Sequence, residues 1–185
     1  MVKIPQVGRG TSAAGAKAPR RRLWAPAIPV LAIAAAAAGP ARADVAVGDA
    51  FPDIAAAAGA EAGVPAMAGR VVLVDFWASW CAPCRASFPA YGRLHAAYAP
   101  KGLVIVAVGV DEDPKAYAAF LRKYPPPYAV VADRQHRLVS RVGVPTLPSC
   151  YLVDRRGRVR FIHAGYRGAE TERALRREVE LLLAE

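Results

Sequence analysis

The sequence predicts an α/β fold with a mixed central β-sheet flanked by helices on both faces. Arg70–Phe76 and Leu103–Val110 are near-continuous apolar runs rich in β-branched residues, the pattern of strands buried on both sides. The stretch between them starts at Pro83 and has helical spacing. Near the end of the chain, Ser149–Val153 and Arg158–His163 flank Asp154-Arg155-Arg156-Gly157, a turn of hairpin type. Two strands joined by a helix run parallel with a right-handed crossover, and the hairpin adds antiparallel strands.

Taken in order, residues 44–69 are rich in Ala, Gly and Pro and read as a loosely structured lead-in, with a short strand at Val45–Val47. After the first buried strand, a helix is expected from Pro83 to about Tyr98. Phe88, Tyr91 and Tyr98 form its apolar face, and Pro89 is expected to kink it. Asp113-Pro114 is a helix start, with a capping carboxylate and a proline in the first turn. That helix runs to about Lys123 and stops at Pro125-Pro126-Pro127. A short strand at Tyr128–Ala132 and a short helix at Arg134–Val142 follow. The closing helix, about Ala169–Ala184, carries Leu175, Val179 and Leu182 at helical spacing for packing on the sheet.

Charge divides the chain in two. Of 25 Lys and Arg in 185 residues, seven precede the first acidic residue, Asp44. From Asp44 onward, 18 basic residues face 15 acidic ones, so the formal +10 of the whole chain falls to +3. That is an ordinary globular surface, and no nucleic-acid partner is expected. In the basic opening, Arg20-Arg21-Arg22 precede an apolar run from Leu23 to Gly39, then Ala41-Arg42-Ala43. A positive stretch, an apolar stretch and a small-x-small site together describe a secretory signal peptide over residues 1–43. The alternative is an uncleaved anchor over 23–39. The run is shorter than the roughly 20 residues of a bilayer span, and Pro26 and Pro29 interrupt it, which favours removal. Residues 44–185 then form one domain working outside the cytoplasm, in the periplasm or an equivalent compartment.

The chemistry-bearing motif is Trp77-Ala78-Ser79-Trp80-Cys81-Ala82-Pro83-Cys84. It sits where a buried strand hands over to a helix. The first helical turn offers unpaired N–H groups and the positive end of the helix dipole. A thiolate at Cys81 is stabilised there, so its pKa is expected below the free value of about 8.5. Cys81 is thus the attacking sulfur and Cys84, one turn further in, the resolving one. Pro83 lacks a backbone donor that would be unpaired anyway. A purely structural disulfide closing so short a loop constrains the unfolded chain little. A zinc site needs four ligands, and only Cys150 and three histidines remain, with no second paired cluster. No metal and no cofactor are expected. Cys150 reads as a buried inert thiol, and Asp111-Glu112-Asp113 as a loop with a helix cap.

Val72 to Cys84 closely resembles the active-site segment of the thioredoxin superfamily. The signal peptide, Gly48-Asp49-Ala50-Phe51-Pro52-Asp53 and Tyr151-Leu152-Val153-Asp154 resemble its TlpA/ResA/CcmG-like branch of exported thiol–disulfide oxidoreductases. The resemblance spans about Val47 to Glu185 and implies a thioredoxin fold with a cis-proline loop facing Cys81. Pro145 has the usual Val-Pro-Thr wording, but Pro148 has the branch's six-residue distance to Asp154 and is the choice. Backbone around Leu147 would then pair with an extended substrate strand, and Trp80 would offer a rim for partners. Asp75 matches the buried acid of thioredoxin. Its burial should raise its pKa and let it exchange a proton with Cys84.

The lysine partner of that acid has no counterpart in Val104–Val110, and Ser87 stands where many TlpA-like proteins carry glutamate. Ala78 stands where a peroxiredoxin needs Thr or Ser, which argues against peroxidase chemistry. The implied function is disulfide reduction in exported cysteine-containing clients, such as apocytochrome c or copper-site proteins. A membrane electron donor would recharge the protein, which is expected to be a monomer. The alternative is a non-catalytic chaperone or metallochaperone module.

Overall fold

A computed structural model describes residues 44–58 and 63–185; the expected signal peptide lies outside them. In chain order the elements are α1 (Ile54–Ala58), β1 (Val71–Trp77), α2 (Ala82–Tyr98), β2 (Leu103–Gly109) and α3 (Pro114–Lys123). Then come β3 (Ala129–Ala132), α4 (Arg137–Val142), β4 (Ser149–Val153), β5 (Val159–Ala164) and α5 (Ala169–Ala184). The strands form one sheet in the order β3-β2-β1-β4-β5. β1 pairs with β2, and β2 with β3, in parallel; β4 is antiparallel to β1 and to β5. This is the mixed sheet expected from two buried runs and a late hairpin.

β1 is buried along its whole length, as a central strand must be. Its residues alternate between two covered faces. Phe76 and Tyr151 meet edge to face at 5.8 Å, with Phe51 of the lead-in 5.6 Å from Tyr151. On the opposite face, Tyr91 of α2 lies beside Asp75, and α5 packs against β1 with Leu175, Val179 and Leu182 fully buried. Arg93 and Arg176 both bind Glu172, and Tyr98 donates to Glu180 at 2.6 Å, which ties α2 to α5 at their surfaces.

Three local expectations are corrected. Val45–Val47 is no strand: Asp49 turns the chain back by accepting the Ala46 N–H at 2.9 Å, and pairing is limited to a single bridge, Ala50 to Arg158. The lead-in instead holds α1, because the Asp53 carboxylate accepts the N–H groups of Ala55 and Ala56 and the alanines that follow favour helix. The helix expected from Arg134 begins at Arg137. Asp133 accepts the N–H groups of Arg137 (2.9 Å) and Val139 (2.8 Å), and His136 adopts a left-handed conformation with φ 54°. Residues 134–136 are thereby a turn. α2 continues through Pro89 as one element.

Candidate active site

Cys81 is the residue that caps α2. Its backbone is extended (φ −85°, ψ 104°), and its sulfur takes the place usually held by a capping oxygen, accepting the Cys84 N–H at 3.2 Å. Cys81 and Cys84 form a disulfide, with an S–S distance of 2.02 Å. The two sulfurs are inequivalent. Cys81 retains 5% exposure and Cys84 none, so Cys81 is the more accessible of the two. The next residue out, Trp80, is 72% exposed.

The approach to Cys81 is held by an acid that sequence reading treated as loop. Asp111, at the end of β2, is buried and accepts both the backbone N–H (2.9 Å) and the hydroxyl of Ser79. The segment between β1 and α2 is thus fastened to the neighbouring strand. A repeated acidic run is a poor signal for this, because only the crossover brings position 111 beside position 79. Asp113 does cap α3, accepting the Lys115 N–H at 2.8 Å.

Asp75 lies in the middle of β1 with no exposure, and neither carboxylate oxygen has a hydrogen-bond partner. Burial holds its pKa well above the ordinary carboxylate range; the nearby Tyr91 hydroxyl offsets part of the rise without reaching hydrogen-bonding geometry. Cys150 stands directly opposite Asp75 on β4. Burial first, and Asp75 second, push its thiol far above the ordinary range. Tyr91 contacts both Cys150 and Ser87, and Ser87 donates to the Cys84 carbonyl at 2.9 Å. Ser87 thus links the Cys84 carbonyl to Tyr91, and Tyr91 lies beside Cys150 and Asp75. Sequence reading placed Tyr91 on an apolar face and missed the contacts of its hydroxyl with Cys150 and Ser87.

The peptide bond Leu147–Pro148 is cis, the one cis bond among the described residues, so spacing identified the proline that wording would have misassigned to Pro145. Pro148 is buried, and its carbonyl accepts the Gly165 N–H at 2.7 Å. Leu147 is partly exposed against the core edge. Trp77, the last residue of β1, belongs to an aromatic cluster: Phe120 lies 4.7 Å away, Phe88 5.0 Å and Tyr117 5.4 Å. Gly109 makes room for it, since a Cβ there would come within 2.5 Å of the Tyr117 ring.

The redoxin family model matches residues 46–178. The chain belongs to the redoxin family. This redoxin is 32% identical over 123 residues to the thiol-disulfide oxidoreductase ResA of Geobacillus thermodenitrificans, a match covering 65% of this chain and 71% of that one. The ResA of Bacillus subtilis is 32% identical over 91 residues, 49% of this chain and 51% of its own length, so the redoxin spans about half of such relatives. A Chlorobium tepidum crystal structure, described as a thiol:disulfide interchange protein DsbE, superposes with a TM-score of 0.67 at 32% identity. It covers 76% of this chain and 99% of that one. The thioredoxin fold and the thiol–disulfide oxidoreductase class follow from these relatives together with the Cys81–Cys84 pair.

Proposed function

We propose that the protein reduces disulfides in exported cysteine-containing clients, with apocytochrome c and copper-site proteins as the client classes. The observation that carries this reading is the Cys81 sulfur at the N-cap of α2, accepting the Cys84 N–H while remaining the more exposed of the pair. In the reduced protein, a Cys81 thiolate attacks a client sulfur and the client's other sulfur leaves. Cys84 then attacks Cys81, releasing the client as a dithiol and closing the Cys81–Cys84 disulfide. Asp75 takes the Cys84 proton in this direction and returns it when a membrane electron donor reopens the disulfide. Trp80 and the backbone at Leu147, ahead of Pro148, receive the client as an extended strand. Residues 1–43 direct export as a cleaved signal peptide, and the domain acts as a monomer in the periplasm or its equivalent.

The test has two parts. Cys84→Ser should accumulate mixed disulfides through Cys81, and sequencing the trapped partners names the clients; no adducts, with Cys81→Ser still active, would sink the assigned roles. A reduction potential near or below about −270 mV supports a reductant, and one near about −120 mV overturns that direction.

A further inference from the structure

Asp75, Cys150 and His163 stand in one row across three neighbouring strands, Asp75 opposite Cys150 and Cys150 opposite His163. Side chains directly opposite in antiparallel pairs share a face, with Cβ atoms about 4.5–5.5 Å apart. The row therefore leads from the buried central strand to the sheet edge, from an acid with no exposure to an imidazole 21% exposed. The next row on the same face is Leu73, Leu152 and Phe161, which is what a packed sheet ordinarily carries. The helices covering this face complete the polar row. Tyr91 of α2 contacts Cys150 beside Asp75, and Glu178 of α5 lies 2.6 Å from His163 Nε2.

We propose that this row is the route by which Asp75 exchanges its proton with solvent, with Tyr91 and Cys150 as buried links and the His163–Glu178 pair as the mouth. The inference rests on the reading of Asp75 as proton partner of Cys84. When the donor's thiolate opens the disulfide, the S–S bond breaks, the donor supplies the electron pair, and Cys84 leaves as a thiolate that takes the Asp75 proton. The Asp75 carboxylate is then recharged: Tyr91 gives its hydroxyl proton to Asp75, Cys150 gives its own to Tyr91, and protonated His163 gives one to Cys150. Water restores His163. Each link receives a proton as it loses one, so one proton moves from solvent to Asp75; the same links, run in reverse, empty Asp75 again before it takes the Cys84 proton in client reduction. Neither buried link has to persist as an anion, a state that burial opposes in both.

The experiment follows the protonated-carboxyl infrared band of the oxidised full-length protein after transfer to deuterated water, the band being assigned by its loss in Asp75→Asn. Cys150→Val should slow deuterium exchange by about tenfold or more, while Cys150→Ser, which keeps a donor and acceptor, exchanges near the wild-type rate. Tyr91→Phe should also slow it, and His163→Gln to a lesser degree. Wild-type exchange in Cys150→Val with an unchanged unfolding midpoint overturns the route; if that variant does not fold, wild-type exchange in Tyr91→Phe does so. Absence of the band in the wild-type protein overturns the route and the Asp75 reading together. Slowed exchange in Cys150→Val, with an Asp75→Asn protein whose disulfide reduction keeps its pH profile, overturns only the donor role of Asp75.

Discussion

Two kinds of buried aspartate stand in one sheet and just past its strand ends, and they differ in what surrounds the carboxylate. Asp111 and Asp133, 3% and 2% exposed, each accept hydrogen bonds from two donors, Asp111 from Ser79 and Asp133 from the start of α4. Asp75 is more deeply buried, and neither of its carboxylate oxygens has a hydrogen-bond partner. A satisfied carboxylate organises backbone, because its charge is balanced by oriented N–H groups. An orphaned one gains nothing from staying ionised and is held toward its neutral form, ready to give up or accept a proton. The difference separates acids that build the site from the acid proposed to serve its chemistry.

The sharpest way to break this contrast is Asp133→Ala or Asp111→Ala. Each strands polar groups that the carboxylate satisfied, and a loss of about 1–3 kcal/mol in denaturant unfolding is expected. For Asp111→Ala, the loosened Ser79–Trp80 segment should also lower the rate of disulfide exchange. Gly109→Ala is a control without an acid. The new methyl meets the Tyr117 and Trp77 rings, and overpacking of this kind costs about 1–3 kcal/mol, with no shift of any titration.

Asp75→Asn should act with the opposite sign. The folded-state pKa of Asp75 is raised, so the folded protein holds a proton that the unfolded chain has lost. Stability associated with that proton is complete below the unfolded value of about 3.9 and declines as pH rises through the folded one. The asparagine variant should therefore be more stable than the parent at neutral pH, with the gap closing toward pH about 4. Urea midpoints measured across pH check this, and a variant less stable at neutral pH would contradict it. The same variant should slow disulfide exchange.

Glu172→Gln should give the smallest change. Arg93 first, then Arg176, hold Glu172 down to about 2, so its contribution is present above the ordinary carboxylate range and lost as pH falls through that value. The pair lies at the surface, so the difference between variant and parent should shrink in molar salt as well.

Much of the site was readable because its signals are local. Apolar runs with β-branched residues marked β1 and β2, Asp113-Pro114 marked the start of α3, and the Cys-x-x-Cys spacing at a strand-to-helix junction marked the disulfide. The errors arose where a side chain far along the chain, or a cap in an unremarkable stretch, decided the outcome. Asp53 started α1 inside an alanine-rich lead-in, and Asp133 delayed α4. Asp111 looked like one of three loop acids until the β1–β2 crossover brought it to Ser79.

By itself, the order of residues determined the types of the main strands and helices from β1 onward and the redox pair at its strand-to-helix junction, since each depends on contacts within a few residues or on a repeated period; the cis proline was placed by the spacing that the family resemblance implies. Tertiary structure decided which polar groups meet. Asp75, Tyr91, Cys150 and His163 are separated along the chain by 16, 59 and 13 positions, yet strand register and helix packing bring them to one face. Register pairs residues by the geometry of the whole sheet, and a one-residue slip of a strand would turn its member of the row, Asp75, Cys150 or His163, to the other face.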